Sequence, residues 1–199
     1  GGTGGSLGFF MTKAGKDVTL IARGKHLEMI RKNGLGMEQL WDHERENIPV
    51  KACMAEEYNE IPDVILVCVK GYSMTETIPV IRKIAGKDTV VIPILNIYGT
   101  GGKLQKEFPE LVVPDGCIYV SANILEPGVI LRHGKILRVV FGARKPEEET
   151  EKMRMIAKDM ACENIEVILS EDIRRDAMVK FSYVSPIGVA GLYCNASAG

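Results

Sequence analysis

Lys180 stands in the run Asp176-Ala177-Met178-Val179-Lys180-Phe181-Ser182-Tyr183-Val184-Ser185-Pro186. With Val179, Phe181, Tyr183, Val184 and Ile187 around it, few directions are free of apolar neighbours. A lysine so placed loses hydration, which lowers its pKa toward the range useful for proton transfer. Pro186 removes a helix N–H and frees the carbonyl of Ser182. Two further polar residues end apolar runs. Lys70 closes Asp63 to Val69 just before Gly71-Tyr72, and Asn96 closes Thr89 to Leu95 before Ile97-Tyr98-Gly99-Thr100. An amide followed by a glycine-bearing turn can donate to and accept from a carbonyl substrate or a nicotinamide. Each residue also has a plain reading. A helix lysine is ordinarily a solvated charge, and a polar residue after a buried strand marks where the chain meets water.

At the other end of the chain lies Gly1-Gly2-Thr3-Gly4-Gly5-Ser6-Leu7-Gly8. Glycines let a backbone turn tightly and approach a pyrophosphate, and a helix that follows offers free N–H groups to the anion. Gly1 and Gly4 take the second and third positions of G-x-G-x-x-G, which leaves the first glycine and the strand before it outside the sequence. Gly4 is expected where helix, strand and cofactor come closest. The next strand, Val18 to Ala22, ends in Arg23 and Lys25, not in an acid that would hold a ribose 2′-hydroxyl. That ending favours a 2′-phosphate, hence NADP(H) over NAD(H).

These residues need a scaffold that gathers strand ends. Leu7 to Ala14 reads as a helix, Lys25 to Asn33 as a second one stopped by Gly34, and Gly36 to Ala55 as short strands or a hairpin around Trp41-Asp42. The run Asp63 to Lys70 reads as a parallel strand buried on both faces. Ser73 to Ala85 is helical, Thr89 to Leu95 a strand. Strand-like pieces follow at Cys117 to Ile124, Val129 to Leu131 and Ile136 to Phe141. Glu147 to Cys162 is an amphipathic helix with an acidic first turn, which suits its dipole. Ile165 to Leu169 is a strand, and from Glu171 the pattern is helical. Such alternation predicts an α/β fold with a Rossmann-type doubly wound parallel sheet. The predicted division is a nucleotide-binding domain over residues 1–169, lacking its first strand, and the start of an all-helical domain over 170–199. The chain reads as clipped at both ends.

Composition sets the outer bounds. Of 199 residues, 46% are hydrophobic and 26% charged, and the net charge of −1 offers no long-range attraction to nucleic acid or anionic membrane. Five cysteines show no C-x-x-C pair, and the three histidines no metal spacing, so no metal is expected. Cys68 and Cys117 sit in strand-like runs and read as buried reduced thiols, pointing to the cytoplasm. No apolar stretch reaches the length of a membrane span.

The glycine run, Val18-Thr19-Leu20-Ile21-Ala22-Arg23-Gly24-Lys25-His26-Leu27, Val67-Cys68-Val69-Lys70-Gly71-Tyr72, Leu95-Asn96-Ile97-Tyr98-Gly99, Glu126-Pro127-Gly128-Val129 with His133-Gly134, and the segment around Lys180 together resemble the ketopantoate reductase (2-dehydropantoate 2-reductase) family. The resemblance covers essentially the whole chain, and the order and spacing of the six segments are its most specific part. It implies an NADPH-binding Rossmann domain, a helical C-terminal domain, and reduction of 2-dehydropantoate to pantoate in pantothenate and coenzyme A formation. It assigns Gly1, Gly2, Thr3, Gly4, Gly5 and Arg23 to NADPH, Lys70 to the nicotinamide side, Asn96 to both ligands, and Ala122 to a place beside the cofactor. Lys180 is implied as the proton donor, and Asn96, Lys180 and Ser185 are the substrate-binding candidates.

In the family pattern, asparagines follow that lysine by four and eight residues; here Val184 and Gly188 stand in those places. The change leaves hydride chemistry intact and puts the identity of the substrate in question. A reductase of another 2-oxo acid or imine with the same two-domain plan would share every segment, and a non-catalytic NADP(H)-binding regulator is the second alternative, since a glycine run alone does not prove catalysis. The expected partner is a small 2-oxo acid, with a homodimer compatible.

Overall fold

The computed structural model describes residues 1–196. Helix α1 (Gly2–Lys13) leads into β1 (Thr19–Ile21), α2 (Gly24–Asn33), β2 (Leu35–Gln39), β3 (Arg45–Ile48) and β4 (Lys51–Cys53). Then come β5 (Val64–Val67), a 3-10 turn over Gly71–Ser73, α3 (Met74–Ile84), β6 (Val90–Pro93) and α4 (Thr100–Glu107). A long hairpin of β7 (Asp115–Glu126) and β8 (Val129–Gly142) precedes α5 (Glu151–Met160), β9 (Glu166–Leu169) and α6 (Ile173–Cys194).

The strands form three hydrogen-bonded groups. β1 pairs in parallel with β4, and β5 with β6. In the third group β8 is the spine. β7 runs antiparallel along it, while its other edge takes β2 beside Val129–Arg132 and β9 beside Arg138–Phe141, both parallel. The two faces of β6 explain the layering. Val90, Ile92 and Ile94 join the core formed by α1, α5 and β8, whereas Val91 and Leu95 join a second core with Ile81 of α3 and Leu104 of α4. Apolar residues on both sides of one strand require helices on both sides, which is the doubly wound arrangement.

Four expectations change in detail. The glycine run is not a loop: α1 starts at Gly2, and Gly5 N–H already bonds Gly1 O at 2.8 Å. Glycine disfavours a helix, but packing overrides propensity, because a Cβ on Gly5 would lie 2.6 Å from Ile130 and one on Gly2 would collide with the Ala122 carbonyl. The sheet is not wholly parallel, since β2–β3 and β7–β8 are antiparallel hairpins. The pieces Val129 to Leu131 and Ile136 to Phe141 are one strand, continuous through His133-Gly134 because β7 pairs on both sides of that dipeptide. Helix α4 was not expected, its start being masked by Gly101 and Gly102. Gly101 is needed there, since its Cβ would sit 2.8 Å from the Pro114 carbonyl carbon.

The expected boundary after residue 169 falls between β9 and α6. The first turns of α6 sit on the hairpin, where Ile173 packs with Cys117 and Val140. Asp172 caps the helix by accepting from Arg175 N–H at 3.1 Å.

Candidate functional site

Three parallel strands bring their carboxyl ends to one edge. β5 and β6 pair at Val67 with Pro93, so Lys70 and Asn96 each stand three residues past that rung. Their loops touch: a Cβ on Gly71 would run into Ile97. Both polar side chains face solvent. Past β1, Arg23 is the N-cap residue of α2, with its guanidinium 87% exposed and 3.7 Å from Glu76.

The start of α1 fits a bound pyrophosphate. The helical ladder begins at Gly5 N–H, leaving those of Gly2, Thr3 and Gly4 ahead of it with the positive end of the helix dipole. Gly2 lies against the backbone of β7, so that a Cβ there would come 2.9 Å from Asn123 N as well as striking Ala122 O. This is how Ala122 reaches the glycine turn. The closest helix–strand approach is therefore at Gly2 and not at Gly4, where a Cβ would meet only the Cys68 side chain at 3.2 Å. Gly1 has open space around it.

Lys180 and Asn96 line one narrow cleft, along with Asp115, Cys117, Phe181 and Val184 among others. Its enclosed volume, about 10 Å³, is close to what a single water needs. Ala177, Lys180, Phe181 and Val184 follow the i, i+3, i+4, i+7 rhythm of one helix face. Ser185 is one residue out of step with Val184 and lies off that face, outside the cleft lining. Burial holds the Lys180 ammonium below the ordinary lysine range, opposed by a smaller pull from Cys117. The apolar setting read from the sequence is only partly real. Val179 and Tyr183 are 57% and 66% exposed, and the groups that line the cleft with Lys180 come instead from β7, the loop after β6 and the lysine's own helix face.

Three residues of this site carry no strong sequence signal. Asp115 is buried and accepts the Gly101 N–H at 2.7 Å, which ties the start of α4, and with it the Asn96 loop, to β7. Cys117 lies beneath Lys180, and burial pushes its thiol up to about 11. Tyr119 places its ring 4.5 Å from Lys180 Nζ. Alternation along β7 puts Cys117 and Tyr119 on one face, but which face meets α6 is settled only by tertiary packing.

Burial also raises the Cys68 thiol, to about 12, and all five cysteines are free. Among the described residues no group of His, Cys, Asp or Glu is arranged to hold a metal ion, and no helix is long and apolar enough to cross a membrane.

A Rossmann-type sheet, free helix N–H groups at its ligand edge, and a lysine and an amide sharing a cleft place the chain among Rossmann-type α/β proteins. The family model described as ketopantoate reductase PanE/ApbA matches residues 1–146, and the chain belongs to that family. A 2-dehydropantoate 2-reductase of Mesorhizobium japonicum is 29% identical over 90% of this chain and 60% of its own length. The crystal structure of 2-dehydropantoate 2-reductase from Porphyromonas gingivalis superposes with a TM-score of 0.83 at 28% identity, covering 97% of this chain and 68% of that one. The ternary structure of D-mandelate dehydrogenase with NADH and anilino(oxo)acetate shares the fold, with a TM-score of 0.78 at 20% identity over 89% of this chain and 56% of that one. The chain spans about 60% of the length of the curated relatives it matches.

Proposed function

We propose that this chain carries the NADPH-binding and proton-donating part of a 2-dehydropantoate 2-reductase, which forms pantoate on the way to pantothenate and coenzyme A. The observation that carries the reading is the shared cleft of Asn96 and Lys180 at the strand ends where α1 presents its free N–H groups. Gly1, Gly2, Thr3, Gly4 and Gly5 would hold the pyrophosphate, Arg23 the 2′-phosphate, and Lys70 and Ala122 the rest of the cofactor. NADPH, when bound, supplies the hydride that reduces the C2 ketone.

The chain's own residues do the rest. Negative charge grows on the ketone oxygen as the bond to C2 forms. Lys180 stabilises that oxygen and gives it a proton from Nζ, ending as the neutral amine. Partial burial eases this, because it already weakens the hold on that proton. The Asn96 amide donates to the oxygen and orients the group for attack. Asp115 keeps the Asn96 loop in place from beneath through the Gly101 N–H.

The test is Lys180→Ala. It should keep NADPH affinity and lose at least about a hundredfold in kcat, the low end of one general acid's contribution. Lys180→Arg should not restore the rate, because guanidinium keeps its proton near neutral pH. Single-turnover loss of nicotinamide absorbance measures both. A wild-type rate in Lys180→Ala returns this lysine to a surface charge.

One observation favours a second substrate. Val184 lines the cleft where the family pattern has an asparagine, and Phe181 is beside it. An apolar wall suits a 2-oxo acid with a less polar side chain than ketopantoate. Comparing kcat/KM over a panel of 2-oxo acids, with Val184→Asn alongside, separates the two. If Val184→Asn raises turnover of 2-dehydropantoate at the expense of an aliphatic oxo acid, the second substrate is the native one.

A further inference from the structure

Lys180 faces an unusual set of groups. From β7 come Asp115 in the cleft, the Cys117 thiol and the Tyr119 ring; from β8 comes Arg138, against that same ring; from the loop after β6, Tyr98; and from its own helix, Asp176. Asp176 is one turn away but is engaged elsewhere, accepting from Ser170 Oγ at 2.6 Å. No carboxylate among the described residues perturbs the lysine. Nζ instead lies 4.5 Å from the centroid of the Tyr119 ring, within the range of a cation–π contact.

The ring itself is held. Tyr119 and Arg138 are directly opposite in the β7–β8 register, and the Arg138 guanidinium carbon lies 5.9 Å from the same centroid. Arg138 in turn donates from Nε to Glu166 of β9 at 2.6 Å. A line of contacts therefore runs from β9 through β8 and β7 to Lys180. A carboxylate at 4 Å would trap the proton that Lys180 must release. An aromatic face attracts the ammonium more weakly and accepts no proton, so it fixes direction without blocking transfer.

We propose that Tyr119 is a positioning residue for Lys180, its ring face holding the ammonium charged and aimed into the cleft. This rests on Lys180 being the proton donor. Tyr119→Leu removes the ring face and also admits water. Loss of the cation–π contact lowers the lysine pKa, whereas hydration alone raises it, so the sign separates the two causes.

The experiment titrates Lys180 Nζ by NMR of ¹³C-methylated lysines, the signal assigned with Lys180→Ala, in the complete protein without ligand. In Tyr119→Leu the midpoint should fall by about half a pH unit to one and a half, the span a cation–π contact of ordinary strength sets. Tyr119→Phe should leave it near wild type. Pentafluorophenylalanine at position 119 keeps the ring's bulk and reverses its quadrupole, so it should act like Leu, and it answers the question if Tyr119→Leu does not fold. Turnover with NADPH and 2-dehydropantoate should lose its alkaline limb at correspondingly lower pH, because the acid is deprotonated sooner. An unchanged or raised midpoint in both Tyr119→Leu and the pentafluorophenylalanine variant overturns the assignment, whatever the activity. A full rate in Lys180→Ala overturns the proton-donor reading itself, and a lowered midpoint alongside it would still establish the ring contact.

Discussion

Helices α1 and α6 are both rich in apolar residues and glycine, and they are used in opposite ways. In α1 every residue from Gly5 to Met11 is buried, so the helix is enclosed on all sides and what it offers a ligand is backbone. In α6 only Ile173 and Ala177 are buried, and the face bearing Lys180 and Val184 turns to the cleft. The enclosed helix supplies fixed N–H dipoles, and the open one supplies the side chain that, in the proposed function, moves a proton. Rigid enclosure suits an anion site, because oriented donors cost no reorganisation when the ligand arrives. A proton donor needs the intermediate exposure of Lys180, where hydration is reduced but not removed.

The contrast breaks most sharply at Gly2. Gly2→Val should cost roughly a hundredfold or more in NADPH affinity, because its Cβ strikes backbone at Ala122 that cannot rotate away. Gly4→Val should be milder, since only the Cys68 side chain must yield. Titration with NADPH beside a thermal melt separates lost binding from lost folding. Equal effects at the two positions would mean that α1 is not seated on β7 as described.

Arg23→Ala should weaken NADPH roughly ten- to a hundredfold and NADH hardly at all, as expected for a charge-assisted phosphate contact. Calorimetry with both cofactors measures it. Equal losses would remove the 2′-phosphate from this end of the molecule, and Arg23 would be left with its exposed pairing to Glu76.

A smaller effect sits at His26, which accepts Gly128 N–H on Nδ1 at 2.9 Å and so fastens α2 to the β7–β8 turn. Burial holds its pKa below the ordinary 6.5. Below that value the unfolded chain binds a proton that the folded one resists, so stability falls with falling pH. His26→Gln should remove this part of the acid sensitivity, measured as melting temperature between pH 7 and 5. The smallest change is Gly188→Ala in α6. Open space surrounds that position, so the variant should gain up to about 1 kcal/mol from helix propensity alone.

Much of this was legible in the sequence. Apolar runs of strand length located β1, β5, β6 and β9, most clearly β6, which is buried at every position and so has no polar period to confuse it. The stop at Gly34 was legible as well, and its φ of 78° is a conformation that glycine adopts without strain. Asn96 and Lys70 stood out as candidates because a polar residue after such a run stands at the ligand edge of an open α/β sheet. The true start of α1 was not legible. Local propensity argues against a helix through Gly2-Thr3-Gly4-Gly5, and only the closeness of Ala122 and Ile130 reverses it. Nor was Ser185 separable from Val184 until the face of α6 was known.

The sequence by itself therefore determined which residues are candidates for the chemistry: a lysine, an amide, an arginine after a strand, and glycines where a helix begins. These are properties of residue type and short spacing, readable along one dimension. Tertiary structure alone decided which of them meet and what surrounds them. Asp115, Cys117 and Tyr119 stand more than sixty residues before Lys180, and only the packing of α6 on the β7–β8 hairpin brings them to it. Desolvation and ring contacts depend on atoms a few ångströms away in space, and a local pattern carries no information about those.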